Sequence, residues 1–159
     1  RGLGDVYKRQ VSLLTGEPEY LDPLKEETPN GWIVTGYPWN GINTPEHKTF
    51  LAAYQARHKD YPRLGSVVGY TMIQSLATGI RKANSTETEK LITAFRGLAI
   101  ETPFGKATFR AQDQQSTMGA FVGRTKNDNG KGIMVDYRYL DGAAFQPSND
   151  DVKKLRKAD

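Results

Sequence analysis

Residues 31–39 read GWIVTGYPW, and this stretch decides the class of fold. The β-branched run at its centre, residues 33–35, favours an extended strand, and Gly31, Gly36 and Pro38 bound it. The run is apolar on both faces, as in a strand that helices cover on each side of a sheet. The stretch therefore predicts a buried strand in an α/β fold.

A complete helix-start signature follows this strand. Thr44 is a candidate N-cap, Pro45 takes the first helical position, and Glu46 suits the positive end of the helix dipole. Pro62 is expected to stop this helix. Two further helical patterns and three strand-like pieces follow along the chain, at residues 65–84, 85–98, 106–111, 119–125 and 132–140.

The spacing of apolar residues predicts which helical side chains are buried. We expect the least exposed of them to include Phe50, Tyr54, Met72, Leu76 and Ile80. A second short strand is predicted at residues 11–14, before the stretch quoted above. Together these two strands are expected to need sheet partners that the chain lacks.

Composition excludes several classes of protein and of site. The chain has 159 residues, 37% hydrophobic and 25% charged, which indicates a globular protein rather than a disordered one. With no cysteine, it has neither disulfides nor thiolate chemistry. No apolar run reaches 18 residues, so no transmembrane helix is predicted. A formal net charge of +4 without a basic stripe gives little support to a nucleic-acid partner.

The first ten residues, RGLGDVYKRQ, do not resemble the rest of the chain. Ten consecutive codons in one frame of a transposase mosaic-end adapter, as used in tagmentation sequencing, spell this decapeptide. We therefore interpret residues 1–10 as a translated library scar and expect them to pack against nothing specific. On this interpretation the natural part of the chain begins at Val11 and is a C-terminal portion of a longer protein.

The two histidines, His47 and His58, lie eleven residues apart on one predicted helix. This spacing excludes an i, i+4 metal-ligand pair, and both are interpreted as solvated helix surface. No nucleotide-binding loop and no nucleophile-elbow motif is present. Catalytic residues, metal ligands and cofactor-binding residues are therefore not predicted.

From Val11 onward the order of motifs resembles the periplasmic binding proteins of type I fold, in particular the branched-chain amino acid receptor group. The motifs that carry this resemblance are GWIVTGYPW at residues 31–39, FLAAYQARHKDYP at 50–62, the stretch from GSVVGYTMIQ to FRGL at 65–98, and TPFGKATFRAQDQQSTMGAFVGRT at 102–125. The resemblance implies a partial fold of two Rossmann-like lobes whose N-terminal half is missing.

The same resemblance implies a division of the chain between lobes. Residues 11–36 would end the second lobe, residues 37–39 would be a hinge crossing, and residues 40–117 would form the C-terminal part of the first lobe. Residues 118–123 would be another hinge crossing, and residues 124–159 the C-terminal strand and tail. Both crossings place glycine beside bulky side chains, which suits hinge residues.

Residues that would contact a ligand follow from the resemblance as well. In these receptors a carboxylate in the loop that follows the strand corresponding to residues 11–14 contacts the ammonium group of the ligand. Glu17, next to Gly16, is the nearest match in this sequence, with Thr15 and Glu19 as alternative positions. The other interpretation of Glu17 is an acidic residue in a solvated turn. Tyr37 and Trp39 would form an aromatic wall, unless they serve only hinge packing. Ligand-contacting residues would also lie at the start of the second helix, at Gly65, Ser66 and Tyr70, where free N–H groups attract carboxylates. A plain helix start is the other interpretation, and the one that these residues favour.

The resemblance implies a periplasmic receptor that closes around a small amino acid, or a related carboxylate or amide, and delivers it to the membrane permease of an ABC transporter. Its signal peptide would have been lost with the N-terminal half. No cofactor, metal or nucleic acid is expected. Two alternatives stay open: the C-terminal part of an α/β hydrolase or dehydrogenase, and a ligand-sensing domain of the same fold.

Overall fold

In the computed structural model, which describes residues 10–155, the quoted stretch forms a short central strand. The regular elements, in chain order, are β1 (Val11–Gly16), α1 (Pro18–Leu24), β2 (Ile33–Gly36), α2 (Pro45–His58), α3 (Leu64–Ala83), α4 (Thr88–Phe95), β3 (Ala99–Thr102), β4 (Gly105–Thr108), β5 (Ala120–Asp128), β6 (Lys131–Leu140) and α5 (Asn149–Leu155). The α/β fold class is confirmed.

The chain divides into two units. The first contains the residues up to Val68 together with Ala120–Leu140, and the second contains Gly69–Gly119 and the residues from Asp141 onward. Helix α3 begins in the first unit and continues in the second. None of the helices within residues 10–155 combines the length and the apolar character that crossing a membrane requires.

The first unit has a four-stranded mixed sheet in the order β1-β2-β5-β6. Strand β2 runs parallel to β1 and antiparallel to β5, and Val34 at its centre is only 1% exposed. The expectation that these two strands lack sheet partners is wrong for β2, because β5 returns about ninety residues later to pair with it. Strand β1 lies at the edge, with Val11 and Leu13 exposed.

Strands β1 and β2 approach closely at their carboxyl ends. A Cβ at Gly36 would lie 2.2 Å from the carbonyl of Gly16, so this register requires a glycine there. At the other end, the backbone oxygen of Gln10 accepts a hydrogen bond from Ile33 N at 2.9 Å. The backbone of Gln10 thus makes a specific contact, contrary to expectation; residues 1–9 lie outside the described part of the chain.

Helix α2 begins where its sequence predicts. Thr44 is the N-cap, with its side chain accepting a hydrogen bond from His47 N, and Pro45 occupies the first turn. The helix ends at His58, before the predicted stop at Pro62, because Lys59 adopts a left-handed conformation with φ 57°. Phe50 is buried and Tyr54 half-buried, as the helical spacing predicts.

Helix α3 buries a different face from the predicted one around Thr71 and Ser75, while Ile80, also predicted to be buried, is half-buried. Met72 and Leu76 are 63% and 44% exposed, while Thr71 and Ser75 are buried, so the prediction for Met72 and Leu76 is wrong. Burial of Ser75 is tolerated because its hydroxyl donates to the backbone oxygen of Thr71 at 2.7 Å. The part of the helix in the second unit therefore carries an apolar stripe that is about half exposed, formed by Met72, Ile73 and Leu76.

The second unit has a small core of its own around the β3–β4 hairpin. Leu98, Ile100 and Ala107 are buried there. Half-buried apolar side chains pack against them, namely Phe95, Phe109 and Met118. Helix α4 begins at Thr88, three residues into the stretch predicted to be helical, with Glu87 at the N-cap and the Ser85 hydroxyl accepting a hydrogen bond from Glu87 N.

Candidate functional site

Glu17 lies at the junction between β1 and α1. Its backbone oxygen accepts hydrogen bonds from the first turn of α1, and Pro18 fixes the turn that follows it. The residue is only 7% exposed. Its carboxylate forms no hydrogen bond or ion pair with any residue in the described part of the chain. A buried carboxylate without a partner is unusual, and it marks Glu17 as a candidate site residue.

The electrostatics of Glu17 favour a cationic partner. Burial, together with the smaller effect of the nearby Glu19 charge, raises the pKa of its carboxyl group from 4.5 to about 6. Above that pH the carboxylate is ionised, and in the folded chain it has less hydration than in water and no cation among the described residues that compensates for the loss. A ligand ammonium placed against Glu17 would supply the missing partner.

This burial has a measurable consequence for stability. The pKa of Glu17 is higher in the folded chain than the ordinary 4.5, so folding favours the protonated form. That contribution to stability is complete below pH 4.5 and is lost as the pH rises through about 6. Glu17→Gln, which stays uncharged, is therefore expected to be about 2 kcal/mol more stable than the wild type near pH 7.5 and equal to it near pH 4.

Urea unfolding of the chain at both pH values measures this difference. Glu26→Gln is the matched control, because Glu26 is exposed in the same unit and its replacement should leave the pH dependence unchanged. A Glu17→Gln variant that is destabilised near pH 7.5 would mean that the carboxylate has a stabilising partner after all.

The start of α3 already holds a carboxylate of the chain itself. Gly65 N donates to Glu19 Oε1 at 3.0 Å, and Ser66 N donates to the backbone oxygen of Arg63. The Ser66 hydroxyl donates to Tyr54 at 3.3 Å. These amides, predicted to attract a ligand carboxylate, are therefore engaged within the chain in this structure. Tyr70 lies one turn further along α3, 45% exposed, and belongs to the second unit.

The aromatic residues of the predicted crossing are both used in packing. Tyr37 is 1% exposed, and its hydroxyl lies 2.7 Å from His47 Nε2. Trp39 stacks on Tyr61, with ring centroids 4.4 Å apart and planes at 5°. The guanidinium of Arg63 covers the Tyr61 ring at 4.2 Å. Tyr37 and Trp39 are therefore packed against side chains of the same unit, and a role in a hinge or in a ligand wall stays a prediction.

A cavity beside the crossing is too small for an amino acid. It has a volume of about 30 Å³ and is lined by α1, the crossing and β6, including Asp22, Trp39 and Met134. That volume accommodates about one water molecule. A ligand of amino-acid size would therefore need walls beyond this cavity.

The prediction that His47 lies on solvated helix surface is wrong. His47 is 0% exposed, and its ring packs near Phe50 and edge-on to Tyr37. The sequence does carry a signal that could have found it, since His47, Phe50 and Tyr54 follow the i, i+3, i+7 spacing of one helix face. Within residues 10–155 no cluster of three or more possible metal ligands occurs.

Comparisons with known proteins place this geometry in a family. The family described as "Periplasmic binding protein" matches residues 2–131. The leucine-, isoleucine-, valine-, threonine- and alanine-binding protein of Pseudomonas aeruginosa is 31% identical over 65 residues, which are 41% of this chain and 17% of that protein.

Solved structures show the same fold. A branched-chain amino acid ABC-type transporter protein from Rhodopseudomonas palustris CGA009 is 25% identical, with a TM-score of 0.68 over 85% of this chain and 36% of its own. A solute-binding protein of an ABC transporter from Rhodopseudomonas palustris BisB5, solved with 3,4-dihydroxybenzoic acid, is 17% identical, with a TM-score of 0.66 over 79% of this chain and 35% of its own. The chain thus spans about a third of the length of these two structures.

Proposed function

The chain belongs to the periplasmic binding protein family, and we propose that it is the C-terminal part of a two-lobed solute receptor that captures a small amino acid. The fold prediction made from the sequence, a partial type I periplasmic binding protein, is confirmed by the family and the structural relatives. The receptor would act in the periplasm and would deliver its ligand to the permease of an ABC importer. Binding would change neither the ligand nor any covalent bond.

The observation that carries this proposal is Glu17, a residue only 7% exposed whose carboxylate has no hydrogen-bond or ion-pair partner within residues 10–155. An amino acid supplies a cation of the right kind in its ammonium group. Once the ligand excludes water, the charge pair replaces the hydration that both groups lose. The adjacent Glu19, which holds Gly65 N, adds negative potential at the same end of β1 and α1. Both acids favour a ligand that carries a positive charge.

A second ligand class is an aromatic acid without an ammonium group, since a structural relative was solved with 3,4-dihydroxybenzoic acid. Such a ligand would bring a second negative charge toward Glu17 instead of a compensating one. The amino acid is therefore the better match to Glu17. Equilibrium binding of the complete polypeptide to leucine, valine, alanine and 3,4-dihydroxybenzoate, with recovery of unchanged ligand, tests this choice.

The apolar stripe on α3 supports the proposal that the chain is part of a larger protein. Related structures are about three times longer, so the preceding part of the same polypeptide is the occupant we propose for this stripe and for the open edge of β1. Exposed apolar surface of this kind is normally covered in the mature protein.

Methionine oxidation tests whether the preceding part of the polypeptide covers the apolar stripe. In the isolated chain, peroxide should oxidise Met72, which is 63% exposed, much faster than Met134, which is 7% exposed. In the complete polypeptide the rate at Met72 should fall by about tenfold while Met134 is unchanged, because oxidation follows exposure. Peptide mass spectrometry measures both rates. Equal rates at Met72 in the two proteins would show that the preceding part does not cover the stripe.

A further inference from the structure

Helix α1, which begins directly after Glu17, depends on tertiary contacts for its orientation. It has only seven residues, contains Pro23, and receives no side-chain cap from Glu17, so its own hydrogen bonds cannot stabilise it. Leu21 is buried and packs close to β6, where a Cβ at Gly132 would lie 3.2 Å from that of Leu21. Two carboxylates of α1 make the other contacts, to the connection of residues 59–63 and to the first turn of α3.

These two carboxylates, Glu19 and Asp22, are three residues apart and share one face of α1. Asp22 Oδ2 accepts a hydrogen bond from the Tyr61 hydroxyl at 2.8 Å and one from Arg63 Nη2 at 3.4 Å. Glu19 Oε1 accepts from Gly65 N at 3.0 Å. The ion pair of Asp22 with Arg63 is weak, because both side chains are about a third exposed. The shorter, charge-assisted bond from Tyr61 is therefore the main side-chain link to Asp22.

Tyr61 is itself held in place. Trp39 stacks on its ring at 4.4 Å, and the guanidinium of Arg63 lies 4.2 Å from the ring centroid. Arg63 Nη1 donates to Asp60 Oδ2 at 2.6 Å and to the backbone oxygen of Tyr61 at 2.7 Å. A side chain whose conformation is fixed in this way can fix the position of the group that it binds.

We propose that Tyr61 and Asp22 are positioning residues that hold α1, and with it the carboxylate of Glu17, in the geometry that ligand binding requires. Glu17 follows any movement of α1, because Tyr20 N and Leu21 N both donate to its backbone oxygen at 3.0 Å. This proposal deepens the proposed function and rests on it, since it assigns Tyr61 and Asp22 to the same ligand site as Glu17.

The first test needs no ligand and uses the 159-residue chain. Carbon NMR of glutamates labelled at the carboxyl group follows Glu17, whose signal is the one that Glu17→Gln removes. We expect the pKa of Glu17 to be about 6 in the wild type and to fall toward 4.5 in Tyr61→Phe. That variant changes no charge and keeps the ring, but it releases α1 and lets water reach the carboxylate.

Two variants of Asp22 separate the hydrogen bond from the charge. Asp22→Asn and Asp22→Ala remove the same charge, but only asparagine keeps an oxygen that can accept from Tyr61. The Glu17 titration should therefore move in Asp22→Ala and stay near that of the wild type in Asp22→Asn. Tyr61→Phe combined with Asp22→Ala should move it no further than Asp22→Ala alone, since both changes remove one hydrogen bond.

Leucine binding to the complete polypeptide separates positioning from plain structural stability. Tyr61→Phe should weaken binding about tenfold when Glu17 is present and should have no further effect in the Glu17→Gln background, because it acts through Glu17. Thr44→Ala is the matched control. It removes the N-cap of α2 in the same unit and lowers stability, but should change neither the Glu17 titration nor leucine affinity.

Two results would overturn the proposal: a Glu17 titration that moves in neither Tyr61→Phe nor Asp22→Ala, and a loss of leucine affinity in Tyr61→Phe that is equal with and without Glu17. If Asp22→Ala does not fold, Tyr61→Phe carries the titration test, because it removes a single hydroxyl. A wild-type polypeptide that binds no leucine would instead contradict the proposed function, and the titration would still decide whether Tyr61 positions Glu17.

Discussion

In the complete polypeptide, Glu17→Gln is expected to weaken the binding of leucine by about 100-fold, which is about 3 kcal/mol. Glutamine keeps the size and shape of the side chain but removes the charge that would meet the ligand ammonium. The loss is large because Glu17 is only 7% exposed, so little water reaches the side chain to replace the missing interaction. The same variant is expected to gain folding stability near neutral pH while it loses ligand affinity. Such opposite effects of one substitution are typical of a residue that serves binding rather than folding.

Two controls make this result specific. Glu26→Gln removes the same charge at an exposed position of the same unit and should change leucine affinity by less than about threefold. Binding of 3,4-dihydroxybenzoate, which has no ammonium, should be unaffected or improved by Glu17→Gln. Equal losses for leucine and the aromatic acid would show that Glu17 acts on the shape of the site and not on the ligand charge.

The pH dependence of leucine binding adds an independent check on the same residue. Because the carboxyl group of Glu17 has a pKa of about 6 before ligand binds, affinity should fall as the pH drops through 6. The Glu17→Gln variant should lose this particular dependence.

The features that the sequence predicts well are local ones. Thr44 and Pro45 define the start of α2 through contacts within a single turn, and Ile33 to Thr35 form a strand through their own backbone preferences. The position of Glu17 after β1 is also local, because a strand and a turn of known length place it there. Its burial and the lack of a partner are not visible from the sequence.

The features that the sequence does not predict depend on distant parts of the chain. Val34 and Gly123 are register partners although they lie about ninety residues apart, and no short-range pattern specifies that pairing. The spacing on α3 groups Met72 and Leu76 on one face, but the prediction that they are buried is wrong, because spacing does not say whether this chain contains the surface that covers that face. Thr71 and Ser75 are buried instead; the Ser75 hydroxyl is satisfied within the helix, whereas the Thr71 hydroxyl has no hydrogen-bond partner among the described residues.

The burial of His47 is another feature that depends on a distant part of the chain and that the sequence does not predict. Its place on the face of α2 follows from the spacing to Phe50, yet a histidine on a helix face is usually solvated. Its burial requires an acceptor–donor match with Tyr37, a residue ten positions away on another element. That match exists only once β2 and α2 are packed together, so it follows from tertiary structure.

The isolated chain is expected to bind leucine at least about 1000-fold more weakly than the complete polypeptide. The chain supplies Glu17, the crossing at residues 37–39 and the start of α3, whereas the cavity beside the crossing holds about one water. Contacts to the ligand carboxylate would come from the part of the receptor that precedes this chain. Losing three hydrogen bonds to a charged group, at about 1.5–3 kcal/mol each, removes roughly 4–9 kcal/mol. A micromolar complex, near −8 kcal/mol, would then become weaker than millimolar.

Calorimetric titration of leucine into the complete polypeptide and into the isolated chain, side by side, tests the central claim most directly. The receptor account predicts saturable binding at about micromolar Kd or tighter for the complete polypeptide, with unchanged leucine recovered, and no measurable heat for the isolated chain. Micromolar binding by the isolated chain, or the absence of binding of leucine, valine and alanine to the complete polypeptide, would contradict the account.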